Sequence, residues 1–263
     1  MDINVLISDI SVLDDVLSFP GITGIYVEME RVTRDRIKPI VHGAHAAGKN
    51  IYFAMPYIFD SSMPETLMRK LDALMSFSPD GYLIRNLDEL GFIEEKGIPG
   101  KRILDAGLYT WNKAAIKQLE KLGADYFTAP YELNKYELSE RGFEKTEIVA
   151  YGYYPVMISN NCLKQTTGKC SKETEPYTIT KLHDRTGADF RAVNCCTYCY
   201  NIIYNSVPTW LLDEPAIYKA DSIRLSFTTE PSMEIKSILK KFFDGELVPG
   251  KSITRGHFNR GAE

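Results

Sequence analysis

The chain has 263 residues, of which 44% are hydrophobic and 25% charged, with a formal net charge of −4. This length suits one α/β barrel of about 250 residues or two small domains, with enough apolar residues for a sizeable core. The negative balance excludes a global electrostatic pull toward nucleic acid, so RNA binding would need a local basic face, and no apolar run is long enough to span a membrane.

In chain order, short apolar runs alternate with amphipathic segments. Asn4–Ser8 predicts a strand, and Ser11–Phe19 a short helix from a serine cap. Gly24–Glu28 is the second strand, followed by a helix from about Thr33 to Ala47 that Gly48 closes. Asn50–Met55 is the third strand, stopped by Pro56. The next helix spans about Met63 to Phe77, with Leu67, Leu71, Leu74 and Met75 on one face.

Gly81–Arg85 is the fourth strand, and Leu87–Lys96 a helix ending at Gly97. Arg102–Asp105 is the fifth strand, with a helix from Thr110 to Leu122. Tyr126–Ala129 is the sixth, with a helix from about Asn134 to Arg141. Glu147–Tyr151 is the seventh; Ser222–Phe227 is the eighth, followed by a helix from about Met233 to Phe243.

Eight strand–helix units with short connections predict an α/β fold of the closed, TIM-like (β/α)8 type. The competing architecture is an open doubly wound sheet, but no Gly-x-Gly-x-x-Gly opens the first helix. One barrel domain over residues 1–263 is therefore expected, interrupted by an insertion over 152–221 between strands seven and eight. That connection is about ten times the usual length. It leaves from the C-terminal end of a barrel strand, where parallel barrels keep their chemistry, so it is expected to fold back over the mouth as a lid.

All five cysteines lie in the stretch from Tyr151 to Ser206. Cys196 and Cys199 form a Cys-x-x-Cys pair, and Cys162 and Cys170 bracket the loop LKQTTGK. Two pairs make four soft ligands, suited to tetrahedral zinc or an iron–sulfur cluster, with Cys195 spare. Disulfides, small buried hydrophobes and a purely structural zinc knot are the competing readings. Met1-Asp2 opens into a short apolar run with no basic leader, and the thiol count is odd. Reduced thiols and a cytoplasmic location are therefore expected.

Four motifs together resemble the collagenase-like peptidase family U32, whose catalytic type is unassigned. They are YGYYPVMISNNC from Tyr151, DR-x-G-x-x-F from Asp184 to Phe190, CTYCYNIIYNS from Cys196, and TRGHFNRG from Thr254 to Gly261. The resemblance covers nearly the whole chain and is greatest to the second barrel segment of long clostridial-type members. It implies a barrel-like fold and a metal or 4Fe–4S cluster held by Cys162, Cys170, Cys196 and Cys199, with zinc as the alternative. It further implies oxygen-independent hydroxylation of tRNA or rRNA bases or of quinone precursors, with prephenate as a donor in RNA-hydroxylating relatives. Members usually carry more chain before or after this barrel, which implies a fragment or a pared-down paralogue here, with a second barrel or subunit of the same family as an expected partner.

The peptidase label finds no support in hydrolytic motifs. There is no Gly-x-Ser-x-Gly elbow and no His-Glu-x-x-His; His42 and His45 have no glutamate between them and read as structural. A Cys195–His183 pair is the one conceivable thiol hydrolase. Polar residues at predicted strand ends are the pocket candidates: Glu28, Arg85, Asn86, Asp105, Tyr131, Glu132, Tyr151 and Tyr154. Arg85, taken as a solvated residue at the mouth, is expected to clamp a small anionic substrate or RNA, with Arg185 and Arg255 as further cations. Asn201, Tyr204, Asn205 and Ser206 follow the Cys-x-x-Cys pair at helical spacing and are expected to brace its turn or bond to sulfur.

Overall fold

The structure, a computed structural model, describes residues 1–59, 65–170, 177–250 and 252–261. It divides into two compact units, Met1–Gly152 with Thr209–Glu263, and Tyr153–Pro208.

The first unit is built on β1 (Asp2–Ile7), β2 (Gly24–Glu28), β3 (Asn50–Ala54), β4 (Gly81–Ile84), β5 (Lys101–Leu104), β6 (Tyr126–Thr128) and β7 (Thr146–Gly152). Each of these pairs in parallel with the next. The last barrel strand, Ser222–Phe227, pairs in parallel with β7 on one side and β1 on the other, aligning Asn4 with Arg224 and Leu6 with Ser226. The ring is closed: an eight-stranded parallel barrel, as the alternation predicts. Every residue of β2, β7 and the last strand is buried, as befits strands covered on both faces.

The helices of this unit are α1 (Leu13–Leu17), α2 (Arg34–Ala46), α3 (Glu65–Phe77), α4 (Leu87–Lys96), α5 (Lys113–Lys121) and α6 (Lys135–Arg141). Asn86 and Asn134 open α4 and α6 with reciprocal capping boxes to Glu89 and Glu137. Gly48 and Gly97, just past α2 and α4, take left-handed φ of 68° and 59°. The helix expected from Thr110 begins only at Lys113, because the Asn112 side chain caps it there. The segment Ser11–Phe19 is a 3-10 turn over Ile10–Val12 that runs into the five-residue α1. Leu71 and Leu74 of α3 are buried as expected, whereas Met63 and the Leu67 side chain lie outside what is described.

The second unit holds β8 (Pro155–Ser159), α7 (Leu163–Thr166), β9 (Tyr177–His183), β10 (Asp189–Cys195) and β11 (Tyr200–Tyr204). Its strands form one antiparallel sheet in the order β8-β11-β10-β9. The residues after the Cys-x-x-Cys pair are therefore a strand and not the helix their spacing suggested. Tyr-Asn-Ile-Ile-Tyr is rich in β-branched and aromatic side chains, which pack well on a pleated surface. The charged spacer at 171–176 lies outside the described residues. The chain re-enters the first unit through β12 (Thr209–Trp210), where Thr209 pairs with Gly152 and Trp210 with Tyr151. The barrel closes with β13 (Ser222–Phe227) and is followed by α8 (Ser232–Phe243).

Candidate functional site

The barrel interior carries an apolar cluster of Leu6, Tyr26, Tyr52, Ala54, Leu83 and Ile103. It also carries a chain of buried charges. Arg85, just past β4, donates from Nη1 and Nη2 to both carboxylate oxygens of Glu28 at 2.7 and 2.9 Å. Its Nε donates to Asp105 Oδ2 at 3.2 Å, and Nη1 also donates to the Met55 carbonyl at 2.9 Å. The guanidinium carbon lies 3.8 Å from the centre of the Tyr57 ring. Asp105 in turn accepts from Arg224 Nη2 at 2.7 Å. Arg224 Nη1 lies 3.2 Å from Glu147 Oε1, an ion-pair approach without hydrogen-bond alignment. Glu147 Oε2 accepts from Asn4 at 2.7 Å and from the Tyr26 hydroxyl at 3.1 Å.

Two guanidinium groups thus face three carboxylates, all out of water. Burial alone would drive Arg85 and Arg224 down, but Glu28 and Asp105 hold both firmly charged. Burial likewise pushes the Asp105 carboxyl up, but Arg224 and Arg85 outweigh it and keep Asp105 below its ordinary value. The Tyr26 phenol is pushed far up by burial and by Glu147.

This geometry corrects the expectation for Arg85. It is not a solvated mouth residue: its side chain is 3% exposed and four of its five N–H donors go to Glu28, Asp105 and the Met55 carbonyl. Its bonds join β2, the ends of β3 and β5 and its own strand, so it ties the barrel together. Glu28 and Asp105 belong to the same tie. Tyr131 is half-buried and close enough to Arg224 to act on it electrostatically. Tyr151 is 1% exposed, packed edge-on against Trp210 and tilted against Phe227, which makes it a wall residue and not a pocket residue. Asn86 is a helix cap, and Glu132 keeps Oε2 buried without a hydrogen-bond partner.

Arg255 is also engaged. It pairs with both carboxylate oxygens of Asp213 and donates to the Trp210 carbonyl at 2.7 Å, pinning the TRGHFNRG segment beside β12. Sequence reasoning missed Arg224 and Glu147. The available signal was a full charge inside a strand otherwise reading as buried on both faces.

In the second unit, the sheet register gathers the cysteines at one end. Cys195 ends β10 opposite Tyr177 and Tyr200. Cys196 to Cys199 form the turn between β10 and β11, with the Tyr198 amide donating to the Cys195 carbonyl. Cys199 takes a left-handed φ of 57°. The ladder sets Asn201 opposite Ser159, so Cys162, three residues past Ser159, lies at the same end. Cys170 follows α7, on the chain leading to Tyr177.

No described cysteine is in a disulfide; Cys170 and Cys199 are exposed, Cys196 half-buried, and Cys162 and Cys195 buried. Among the described residues, no three His, Cys, Asp or Glu side chains already surround one point closely enough to hold a metal ion. The donor set still fits a thiolate-bound metal or cluster in kind: Cys162, Cys196 and Cys199 flank one end of one sheet, Cys170 follows α7, and the spare Cys195 is 1% exposed.

Arg185 lies elsewhere. It is exposed on the β9–β10 turn, at the opposite end of the sheet from the cysteines. The same ladder separates His183, opposite Asp189, from Cys195, opposite Tyr177. Six strand residues are about 20 Å, so His183 and Cys195 cannot form a nucleophile–base pair. His183 pairs with Asp189 instead. His45 bonds Asp80 at 2.9 Å and His257 bonds the Gly261 carbonyl at 2.7 Å, both structural roles.

The family model for peptidase family U32 matches residues 26–176. The chain belongs to that family. No curated protein matches it. Among solved structures, this U32 member is similar to thiamine phosphate pyrophosphorylase from Pyrococcus furiosus. The identity is 11% over 94% of this chain and 97% of that one, with a TM-score of 0.45. It is also similar to 3-dehydroquinate dehydratase from Aquifex aeolicus VF5, at 12% identity over 92% and 99%, with a TM-score of 0.41. The barrel assignment rests on the closed strand ring itself. Among the described residues, no helix is long and apolar enough to cross a membrane.

Proposed function

We propose that this U32 member is a thiolate-cluster redox enzyme of the collagenase-like family, in which Cys162, Cys170, Cys196 and Cys199 hold a 4Fe–4S cluster. A cluster with four thiolate ligands supplies electron transfer. The observation that supports the reading is the register of the β8-β11-β10-β9 sheet, which brings the Cys162 loop and the Cys196–Cys199 turn to one end, with no described cysteine in a disulfide. The reaction class, an oxygen-independent hydroxylation of an RNA base or another anionic small molecule, follows the family resemblance. A second barrel of the same family is the proposed partner.

Peptide hydrolysis has weaker support. Among the described residues no histidine is hydrogen-bonded to a serine, threonine or cysteine, and the one candidate thiol pair stands about 20 Å apart. The test is mass spectrometry of RNA nucleosides and quinones from anaerobically grown host cells with and without the gene. Loss of a hydroxylated species, restored by the intact gene but not by Cys199→Ser, supports the proposal. Unchanged nucleosides and quinones overturn the reaction class.

A further inference from the structure

One side chain joins the two halves of the cysteine end. Asn201 stands on β11, two residues past Cys199, and is 1% exposed. Its Nδ2 donates to the Asn161 carbonyl at 2.7 Å and, more weakly, to the Ser159 carbonyl at 3.4 Å. Its Oδ1 accepts from the Leu163 amide at 3.3 Å. Asn161 and Leu163 are the residues on either side of Cys162. The carboxamide therefore grips the backbone on both flanks of that cysteine.

Thr166 secures the same loop from within, with both its amide and its hydroxyl donating to the Cys162 carbonyl at 3.0 Å. A buried carboxamide must have its donor and its acceptor satisfied, and here both are spent on one loop. Because Asn201 is fixed by its ladder partners Ser159 and Asn194, the position of Cys162 relative to the Cys196–Cys199 turn is fixed with it.

We infer that Asn201 is the positioning residue of the thiolate site, holding the Cys162 loop in register with the Cys-x-x-Cys turn before any metal arrives. The inference rests on the reading of these cysteines as metal ligands. Without Asn201 the loop must be ordered by the metal itself, and that entropy is lost from binding. Asparagine is specifically required. Aspartate keeps the acceptor for Leu163 but loses the donor and sets a second oxygen against the Asn161 carbonyl.

The test is an anaerobic titration of the full-length, chelator-treated chain with Co(II), whose sulfur-to-metal charge-transfer band grows with the number of thiolates bound. Asn201→Asp should weaken Co(II) binding about 10- to 100-fold, the usual effect of removing a partner that orients a ligand. Its band should match that of Cys162→Ser, and the double variant should lose no further thiolate.

Leu163→Pro tests the same clasp should Asn201→Asp not fold. It deletes the amide that reaches Asn201 and trims the half-buried leucine side chain, at the first position of α7, where proline suits a helix. Cys162, at φ −64° and ψ 116°, already has the backbone that a residue before proline needs. This variant should lose the same single thiolate. A full wild-type band and affinity in either folded variant overturns the role of Asn201 alone. A wild-type chain that shows no thiolate band with Co(II) overturns the metal reading, and this inference with it.

Discussion

Arg85 and Glu28 meet through two parallel hydrogen bonds, at 2.7 and 2.9 Å, across 57 residues of sequence. The pair is 3% and 7% exposed, and the same guanidinium reaches Asp105. Removing one partner of a buried pair leaves the other charge uncompensated, which costs about 3–5 kcal/mol. Arg85→Ala should therefore lower the unfolding midpoint sharply. Arg85→Lys should recover only part of it, because a lysine cannot make the two-pronged contact. A denaturant midpoint for Arg85→Ala close to wild type would show the pair to be dispensable.

Glu89 gives a pH signature. It is fully buried, and burial raises its carboxyl well above the ordinary value even though the Arg85 and Asn86 amides donate to it. The folded state therefore binds this proton more tightly than the unfolded state does. Stability from this group is complete at low pH and is lost as pH rises from about 4.3, the ordinary glutamate value, up to the folded value, by at most about 1.4 kcal/mol per pH unit. Glu89→Gln, which mimics the protonated form and still caps α4, should flatten that slope. Parallel stability–pH curves for the two proteins contradict this account.

Tyr151 is predicted to matter for packing. Tyr151→Ala removes a ring from between Trp210 and Phe227 and should cost about 3–5 kcal/mol. Tyr151→Phe removes only the hydroxyl that bonds Glu230, for about 1 kcal/mol. Equal midpoints for the two variants would place the energy in the hydroxyl and not in the ring.

The barrel was legible because its strands are buried on both faces and read as short, mostly apolar runs between capped helices, as in Gly24–Glu28 and Asn50–Ala54. The insertion sheet was not. β8 is an edge strand with Val156, Met157 and Ile158 exposed, so its pattern follows neither period clearly, and Asn201, Tyr204 and Asn205 recur at helical spacing although Tyr200–Tyr204 is a strand. The cysteine pairs could be read from spacing alone. The state of Arg85 could not, because Glu28 and Asp105 lie 57 and 20 residues away and only barrel closure brings them together. The place of Arg185 was not legible for the complementary reason: nothing local shows that a hairpin of two seven-residue strands carries it to the far end of the sheet.

Cys195 separates the site from its surroundings. It is 1% exposed at the end of β10, whereas Cys196 and Cys199 lie on the exposed turn beyond. Cys195→Ser should lower stability by about 1–3 kcal/mol, the cost of putting a more polar group in a buried site, and leave metal content unchanged. Cys199→Ser should do the reverse in the metal-free protein, changing stability little while abolishing metal retention. Metal lost from Cys195→Ser and kept in Cys199→Ser would shift the ligand set by one residue.

The most direct test of the cluster proposal is iron, sulfide and zinc analysis of the full-length chain purified without oxygen, with its visible spectrum. The account predicts about four irons and four sulfides per chain. It also predicts a broad brown absorbance, lost in each of the Cys162, Cys170, Cys196 and Cys199 serine variants and kept in Cys195→Ser. A chain holding one zinc and no sulfide, or no metal at all, contradicts it.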